Sequence, residues 1–247
     1  MSTACIIVIG NEILSGRTRD ENIGWLAVEL NKVGVRLLEV RIVPDVPQAI
    51  IKAVNEYRPQ YTYVFTTGGI GPTHDDITSE CIAQAFGVRY TRHPEALALM
   101  KATYPPEKLN DARLKMTDMP EGASLIPNPV SVAPGFVIGN VYVMAGIPRV
   151  MQAMFDHIKH TLKGGKPILS DTVSVFLTEG VIAKGLTDIQ NTFPDVEIGS
   201  YPFAQEGKLG TSLVLRHTDP ARIATARDAI IALIRSFGSE VIPDENA

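Results

Sequence analysis

Residues 67–78 read Thr67-Gly68-Gly69-Ile70-Gly71-Pro72-Thr73-His74-Asp75-Asp76-Ile77-Thr78, and this stretch decides the fold of the first part of the chain. A β-rich apolar run, Tyr61–Thr66, precedes it, and a helical pattern from Ile77 to Phe86 follows it. In α/β folds, a loop of this kind lies at the carboxyl end of a strand, where ligands bind. Its glycines allow the backbone to approach an anion, and the amino terminus of the next helix attracts negative charge. The stretch therefore predicts a phosphate-binding loop.

Apolar, β-rich runs recur on the amino-terminal side of this loop. They occupy Ala4–Ile9 and Val35–Val43, and helical patterns follow them over 21–33 and 46–57. Alternating strands and helices predict βαβ units around a mainly parallel sheet. We therefore expect an α/β first domain.

The carboxyl-terminal part of that domain has weaker signals. A helix is predicted over 94–104, and the proline-rich segment Pro105–Pro134 is interpreted as a helix fragment plus loop. Gly135–Ile138 and Val141–Met144, separated by Gly139-Asn140, predict a β-hairpin, and a closing helix is predicted over 147–162.

A run of helix-breaking residues, Lys163-Gly164-Gly165-Lys166-Pro167, marks the expected domain boundary. It divides the chain into a first domain, 1–166, and a second, 167–247. The second has the pattern βαββαβ, which predicts a small α+β, ferredoxin-like domain. Gly207-Lys208-Leu209-Gly210 spells the GxxG of nucleic-acid-binding KH domains, but its place between two strands favours a hairpin turn.

Composition narrows the class of partner. The formal net charge of −4 gives no general attraction for nucleic acid or anionic membrane. No apolar run approaches the roughly 18 residues of a membrane span, so we expect a cytoplasmic protein with a small-molecule ligand. The two cysteines, Cys5 and Cys81, form no CxxC pair and are predicted to be core residues.

Two adjacent carboxylates distinguish this loop from common phosphate loops. Asp75 and Asp76 would repel a phosphate unless a cation intervened, and Mg²⁺-like ions bind carboxylate and phosphate oxygens together. The alternative is that one aspartate caps the next helix, as Thr78 or Ser79 also could, while the other is solvated. His74 is interpreted either as a hydrogen-bond donor to phosphate or general acid, or as a solvated loop residue.

Several segments together resemble the molybdopterin-binding superfamily, and specifically the amino-terminal region of CinA-type competence/damage-inducible proteins. The loop 67–78 is the most specific of them. The others are Ile9-Gly10-Asn11-Glu12-Ile13-Leu14-Ser15-Gly16, Asn22, Val43-Pro44-Asp45, Glu80, Asn128-Pro129 and Ala133-Pro134-Gly135-Phe136. The resemblance implies a three-layer α/β/α first domain, a small KH-like second domain and assembly as a homo-oligomer.

The resemblance also implies roles, by position, for residues of this chain. Asp76 and Asp45 match the two functional aspartates of the superfamily, and Asp75 is the branch-specific partner that would hold a divalent metal (Mg, Mn or Co) with Asp76. For Asp45 and for Glu12, the competing interpretation is that the side chain caps a helix. The positions expected to bind phosphate or ligand are Thr67, Gly68, Gly69, Gly71, Thr78, Asn11, Glu12, Ser15, Pro134 and Gly135.

The activity implied is that of a metal-dependent pyrophosphatase acting on ADP-ribose or FAD. The alternatives are a molybdopterin-binding, adenylyl-transferring protein and a non-catalytic nucleotide- or pterin-binding protein. Ser131, Val132, Ala145 and Val150 depart from the family pattern at positions expected to line the far side of the pocket. Since no amidase domain precedes Ala247, nicotinamide mononucleotide deamidation is not expected.

Overall fold

A computed structural model describes residues 2–243 of the chain. The chain divides into two compact units, Met1–Gly165 and Lys166–Ala247. Among the described residues, no helix is both long and apolar enough to cross a membrane.

The strands of the first unit form one main sheet and one small ribbon. They are β1 (Thr3–Ile9), β2 (Arg36–Val43), β3 (Tyr63–Thr67), β4 (Tyr90–Arg92), β5 (Asp118–Pro120), β6 (Ser124–Ile126), β7 (Gly135–Ile138) and β8 (Val141–Met144). The main sheet has the order β2-β1-β3-β8-β7-β6, and β4 pairs with β5. Strands β2, β1, β3 and β8 run parallel, whereas β7 and β6 are antiparallel to their neighbours. The predicted hairpin of β7 and β8 is confirmed.

Helices connect these strands. They are α1 (Asn11–Leu14), α2 (Asn22–Lys32), α3 (Pro47–Tyr57), α4 (Thr78–Phe86), α5 (Pro94–Thr103), α6 (Asp111–Lys115) and α7 (Pro148–Ile158), with 3₁₀ turns at Pro106–Lys108 and Lys159–Thr161. Proline begins α3, α5 and α7, where its missing N–H costs no hydrogen bond and its fixed φ suits the helix. Gly87 ends α4 in the left-handed conformation, at φ 66°.

Apolar side chains cover both faces of the sheet. Along β1, Cys5, Ile7 and Ile9 pack with α3 and α4 on one face, and Ala4, Ile6 and Val8 pack with α2 and α7 on the other. Because alternate residues of a strand point to opposite faces, a strand buried on both sides reads as a continuous apolar run. This confirms the predicted three-layer α/β/α arrangement and places both cysteines in its core.

Two parts of the first unit differ from the sequence-based expectation. The segment Pro105–Pro134, interpreted as a helix fragment plus loop, also contains β5 and β6, and β6 is the edge of the main sheet. Strands of three residues are too short to show an alternating pattern. Residues 11–14, for which the sequence showed no helical pattern, form the short helix α1, since one turn is likewise too brief for a periodic signal.

The second unit has the predicted order of elements. They are β9 (Leu169–Val175), α8 (Glu179–Thr192), β10 (Glu197–Gln205), β11 (Lys208–His217), α9 (Pro220–Ser236) and β12 (Val241–Ile242). The antiparallel sheet has the order β10-β11-β9-β12, which is that of a ferredoxin-like split βαβ unit. Glu206 and Gly207 connect β10 to β11 with positive φ, so the hairpin turn contains only the first residue of the GxxG segment, and Lys208-Leu209-Gly210 belong to β11.

Candidate active site

The four parallel strands of the first unit end at one edge of the sheet. Cα pairing aligns Ile9 with Val43, Val8 with Thr67, and Thr67 with Met144. Strands β1, β2 and β3 are followed there by segments that the resemblance had singled out, and β8 is followed by Ala145-Gly146. Strand order also reverses between β1 and β3, and the helices that follow these strands, α2 and α4, lie on opposite faces, which is where α/β sheets open a crevice for ligands.

The glycine loop, residues 67–78, turns sharply at its start. Gly68 has φ 105°, and an added Cβ there would lie 2.1 Å from the carbonyl oxygen of Ile9. Gly69 has φ 68°, and its Cβ would lie 2.2 Å from Oγ1 of Thr78. The loop backbone is therefore in direct contact with the end of β1 and the start of α4, and only glycine fits at either position.

Thr78 closes the loop from its other end. Its hydroxyl donates to the carbonyl oxygen of Gly68 at 3.0 Å, and its backbone N–H donates to the carbonyl oxygen of Gly69 at 2.9 Å. Thr78 is fully buried, so its side chain anchors the loop and does not line the cleft. A ligand would meet the backbone that Thr78 holds in place.

The two loop aspartates share one partner, Thr73. Its hydroxyl oxygen lies 2.5 Å from Oδ1 of Asp75 and 2.5 Å from Oδ2 of Asp76, and its backbone N–H donates to the same Oδ2 at 2.8 Å. The hydrogen bond from Thr73 lowers the pKa of Asp75 below its ordinary value, with smaller contributions from His74 and Lys115. Since the hydroxyl has one hydrogen, it donates to one carboxylate at a time, while the backbone N–H of Thr73 holds Asp76, and both carboxylates lie close together around this residue.

The proposed capping role of these aspartates is wrong. Helix α4 begins after Ile77, and no side chain among residues 2–243 makes a capping hydrogen bond there. Both carboxylates instead contact Thr73, which precedes Asp75 by two residues and Asp76 by three. They therefore lie beside the glycine backbone and remain available to a ligand.

Asp45 joins the site through long-range contact. Its Oδ2 accepts a hydrogen bond from the backbone N–H of Asn11 at 2.8 Å, at the start of α1. The interpretation of Asp45 as the cap of the helix following β2 is wrong, because in the described chain α3 begins at Val46-Pro47 without a side-chain cap. Glu12, on α1, folds its carboxylate back over Gly10, where an added Cβ would meet Oε1 at 2.5 Å.

These groups line a cleft of about 620 Å³, a volume suited to a nucleotide-sized ligand. We call it the acidic cleft, after the carboxylates Glu12, Asp45, Asp75 and Asp76 in its wall. Its other lining residues in the described chain are Ile9, Thr18, Gly68, Gly69, Ile70, Gly71, Pro72, Met116, Asn128, Ser131, Ala133, Ala145, Gly146, Ile147, Pro148, Val150 and Met154. This described lining contains no cationic side chain.

The other predicted ligand residues lie outside the lining of this cleft. Asn11 and Ser15 are exposed on and just after α1, and Pro134 and Gly135 are buried at the start of β7. The neighbouring Ala133 lines the cleft instead. Thr67 is buried at the end of β3 and borders a smaller adjoining pocket. His74 is a solvated loop residue with a side chain 97% exposed.

The wall that departs from the family pattern is organised by Asn128. Its side chain donates to Ser131 Oγ at 2.7 Å and to the carbonyl oxygen of Ala133 at 2.8 Å, and accepts from the backbone of Val130. Val132 has φ 68°, a left-handed conformation that is rare for a β-branched residue and costs on the order of 1–3 kcal/mol. Ser131, Ala145 and Val150 line the cleft as expected, whereas Val132 shapes the turn behind it.

The cleft suits a divalent ion only in combination with a ligand. Among the described residues, no three His, Cys, Asp or Glu side chains converge closely enough to hold an ion by themselves. The carboxylates of Asp75 and Asp76 nevertheless lie side by side next to the loop backbone. Mg²⁺-type ions are commonly held by one or two carboxylates plus phosphate oxygens and water, and this pair fits that mode.

Comparison with known proteins gives two family matches. Residues 5–164 match the family described as probable molybdopterin binding domain. Residues 167–240 match the middle domain of FAD synthase.

Individual relatives agree with these matches. A protein of Archaeoglobus fulgidus is 34% identical over 197 residues, which cover 80% of this chain and 84% of that protein. A probable FAD synthase of Caenorhabditis elegans is 31% identical over 239 residues, covering 86% of this chain but 46% of that protein. The crystal structure of CinA from Thermoplasma acidophilum, described as a protein of unknown function, has a TM-score of 0.61 at 32% identity. It covers 65% of this chain and 97% of that one.

Proposed function

This chain belongs to the family of probable molybdopterin-binding domains, and we propose that it is an enzyme that hydrolyses the pyrophosphate bond of ADP-ribose, FAD or a similar dinucleotide. The observation that carries this proposal is the contact of Asp75 and Asp76 with one Thr73 hydroxyl, beside a backbone that only glycine can form. The pair supplies negative charge at the point where the loop would receive phosphate. Such a combination favours a phosphate ligand that arrives with a cation.

Binding follows from the shape and charge of the acidic cleft. The backbone of Gly68 to Gly71 would approach the phosphate oxygens, because these positions carry no side chain that keeps a ligand away. Asp75 and Asp76 would hold Mg²⁺, Mn²⁺ or Co²⁺. When bound, such an ion supplies charge neutralisation and polarisation of the phosphorus centre.

The chemistry is the addition of water across a phosphoanhydride. Water attacks phosphorus, the bridging P–O bond breaks, and the leaving phosphate takes the bond electrons. Asp45, whose Oδ2 accepts from the Asn11 N–H at the wall of the cleft, would accept the proton of the attacking water. ADP-ribose would give AMP and ribose 5-phosphate, and FAD would give AMP and FMN.

The relatives support chemistry on nucleotides. The second unit matches a domain of FAD synthase, and the C. elegans relative is named a probable FAD synthase. The chain spans about half of that protein's length. We therefore propose adenine- and flavin-containing nucleotides as the first substrates to test.

The test is a panel of ADP-ribose, FAD and other dinucleotides against Mg²⁺, Mn²⁺ and Co²⁺, with products identified by chromatography. We expect AMP release that a chelator abolishes and that added metal restores. Asp76→Asn should lower kcat/KM on the order of 100-fold. Asp188→Asn, which removes the same charge from an exposed position of α8, should leave activity unchanged. Equal activity of both variants, or no turnover with any metal, would refute the proposed hydrolase.

A second candidate function uses the same cleft for adenylyl transfer to molybdopterin, and the description of the matched family favours it. In that reaction ATP would lose pyrophosphate and the pterin phosphate would take the AMP. Incubation with ATP and the pterin separates the two reactions, since only this one gives an adenylated pterin. Nucleotide binding without any turnover would instead indicate a non-catalytic binding protein.

A further inference from the structure

A second, smaller pocket opens beside the acidic cleft. Its volume is about 60 Å³, and it shares Ile9, Glu12, Thr18, Gly146 and Pro148 with the cleft lining. We call it the side pocket and define it by Asn22 and Thr67, which line it but not the cleft. Since a water molecule occupies about 30 Å³ of liquid, the side pocket has room for one or two polar groups but not for a base.

Two residues that line the side pocket each carry a buried polar atom without a hydrogen-bond partner in the described chain. Within residues 2–243, neither Oδ1 of Asn22 nor Oγ1 of Thr67 makes a hydrogen bond. Asn22 is 4% exposed and Thr67 1% exposed, so bulk solvent hardly reaches them. A buried polar group without a partner costs on the order of 1–3 kcal/mol, which indicates that a ligand or water completes the pair.

The orientation of the Asn22 amide is fixed. Its Nδ2 donates to the carbonyl oxygen of Gly146 at 2.8 Å, and a carbonyl oxygen can accept only from the nitrogen end of the amide. Oδ1 is therefore the free atom, and it requires a donor. Thr67 Oγ1 can both donate and accept, so the pair suits a group with both capacities.

The charges around the side pocket, three carboxylates against one guanidinium, disfavour an anionic group. Glu12, Asp20 and Glu21 line it together with Arg19, and Oδ1 of Asn22 would face any added acceptor. A phosphate or carboxylate would meet repulsion there. A neutral hydroxyl donates to Asn22 and exchanges a hydrogen bond with Thr67 without bringing charge.

Position identifies which part of a nucleotide would present that hydroxyl. Thr67 immediately precedes Gly68, where the proposed phosphate-binding backbone begins, and Gly146 borders both pockets. In a nucleotide the sugar is bonded directly to the phosphate. We infer that the side pocket binds a ribose hydroxyl of the nucleotide whose phosphates lie on the glycine loop; this inference rests on the proposed function.

The chain provides a matched control on the same strand. Thr66 is also fully buried with an unpartnered hydroxyl among the described residues, but its side chain points to the opposite face of β3 and lines neither pocket. Thr67→Val and Thr66→Val each remove a hydroxyl that makes no hydrogen bond within the described part of the chain. Both variants should unfold at the same temperature as the wild type or higher.

The experiment is calorimetric binding of ADP, 2′-deoxy-ADP and 3′-deoxy-ADP to the whole chain and to both variants. In the wild type, removal of one of the two ribose hydroxyls should weaken binding about tenfold, corresponding to one charge-neutral hydrogen bond. Thr67→Val should weaken ADP binding by a similar factor. For the deoxy form that binds the wild type more weakly than ADP does, this variant and the wild type should have the same affinity. Thr66→Val should bind all three as the wild type does.

The outcomes separate this inference from the proposed function. The side-pocket inference alone would be overturned if the wild type bound both deoxy forms as tightly as ADP. It would also be overturned if Thr67→Val and Thr66→Val bound ADP with equal affinity. The comparison of deoxy ligands on the unchanged protein decides the matter even if Thr67→Val fails to fold. Failure of ADP and of the dinucleotide panel to bind at all would overturn the proposed function and the side pocket's role with it.

Discussion

The carboxylate of Asp76 occupies the space that a side chain on Gly71 would need. An ideal Cβ on Gly71 would lie 2.6 Å from Oδ2 of Asp76 and 3.0 Å from its Cγ. Since Oδ2 accepts a hydrogen bond from the backbone N–H of Thr73 and contacts its hydroxyl, the carboxylate cannot move without losing that bond and that contact. The position of Asp76 therefore depends on the absence of a side chain five residues earlier.

Gly71→Ala tests this dependence. The added methyl should push the Asp76 carboxylate away from Thr73 and lower hydrolysis of the proposed substrate on the order of tenfold or more, because misplacement of a reacting group by about 1 Å is costly. Gly24→Ala is the control, since that helical glycine has no atom within 4 Å of its added Cβ. Both rates are measured under the conditions of the metal panel. Equal activity of the two variants would show that the position of Asp76 does not matter.

Thr78→Val tests how the glycine loop is held. The change removes the bond to the buried carbonyl oxygen of Gly68 and should reduce the free energy of unfolding by about 1–3 kcal/mol. Thr66→Val removes a buried hydroxyl without a partner in the described chain and should leave stability equal or higher. Urea denaturation of the two variants measures the difference. A similar loss in both would contradict the anchoring role of Thr78.

Asp195 should make the second unit sensitive to acid. Arg222 donates two hydrogen bonds to it and lowers the pKa of Asp195 to about 2, from an ordinary value of 3.8. A carboxylate with a lowered pKa stabilises the fold above its ordinary pKa, and that contribution disappears as the pH falls from about 4 to 2. Thermal unfolding of the wild type and of Asp195→Asn should therefore differ near neutral pH and converge toward pH 2. A difference that is constant over this range would contradict the assignment.

The two thiols should be unreactive in the folded protein. Burial raises the pKa of Cys5 to about 12 and that of Cys81 to about 11, and both side chains are at most 2% exposed. A thiol reagent such as Ellman's reagent at pH 8 should find no fast-reacting group in the native chain and two in denaturant. Rapid labelling of the native protein would show that one of them is accessible.

Much of the fold could be predicted from the sequence because it is encoded locally. Ala4–Ile9 is apolar at every position, which is typical of a strand covered on both faces, and the bounds of β7 and β8 follow from the turn at Gly139-Asn140. The family resemblance, carried mainly by residues 67–78, is confirmed by the match of residues 5–164. Short elements such as α1 and β5 could not be predicted, because each one ends before a hydrophobic period can repeat.

The site could be predicted only in part, because much of it is assembled by tertiary contacts. Local reasoning found the loop aspartates, but it could not pair Asp45 with Asn11, 34 positions apart, which meet because β2 lies beside β1. Asn22 was identified only as part of the resemblance. The side pocket that it lines with Thr67 forms only when the ends of two strands and a helix come together in the folded chain. The roles assigned to the individual site residues stay predictions until the variants are measured.

The crowding around Gly68 and Gly69 affects what natural variation can reveal about this protein. Selection for a folded chain alone would remove every side chain at these two positions, so invariance there would persist even in descendants that had lost their activity. Selection for the fold does not constrain Asp75 and Asp76 in this way, since neither contributes to the apolar core. Their persistence or loss across descendants is therefore the clearer record of whether catalysis has been kept.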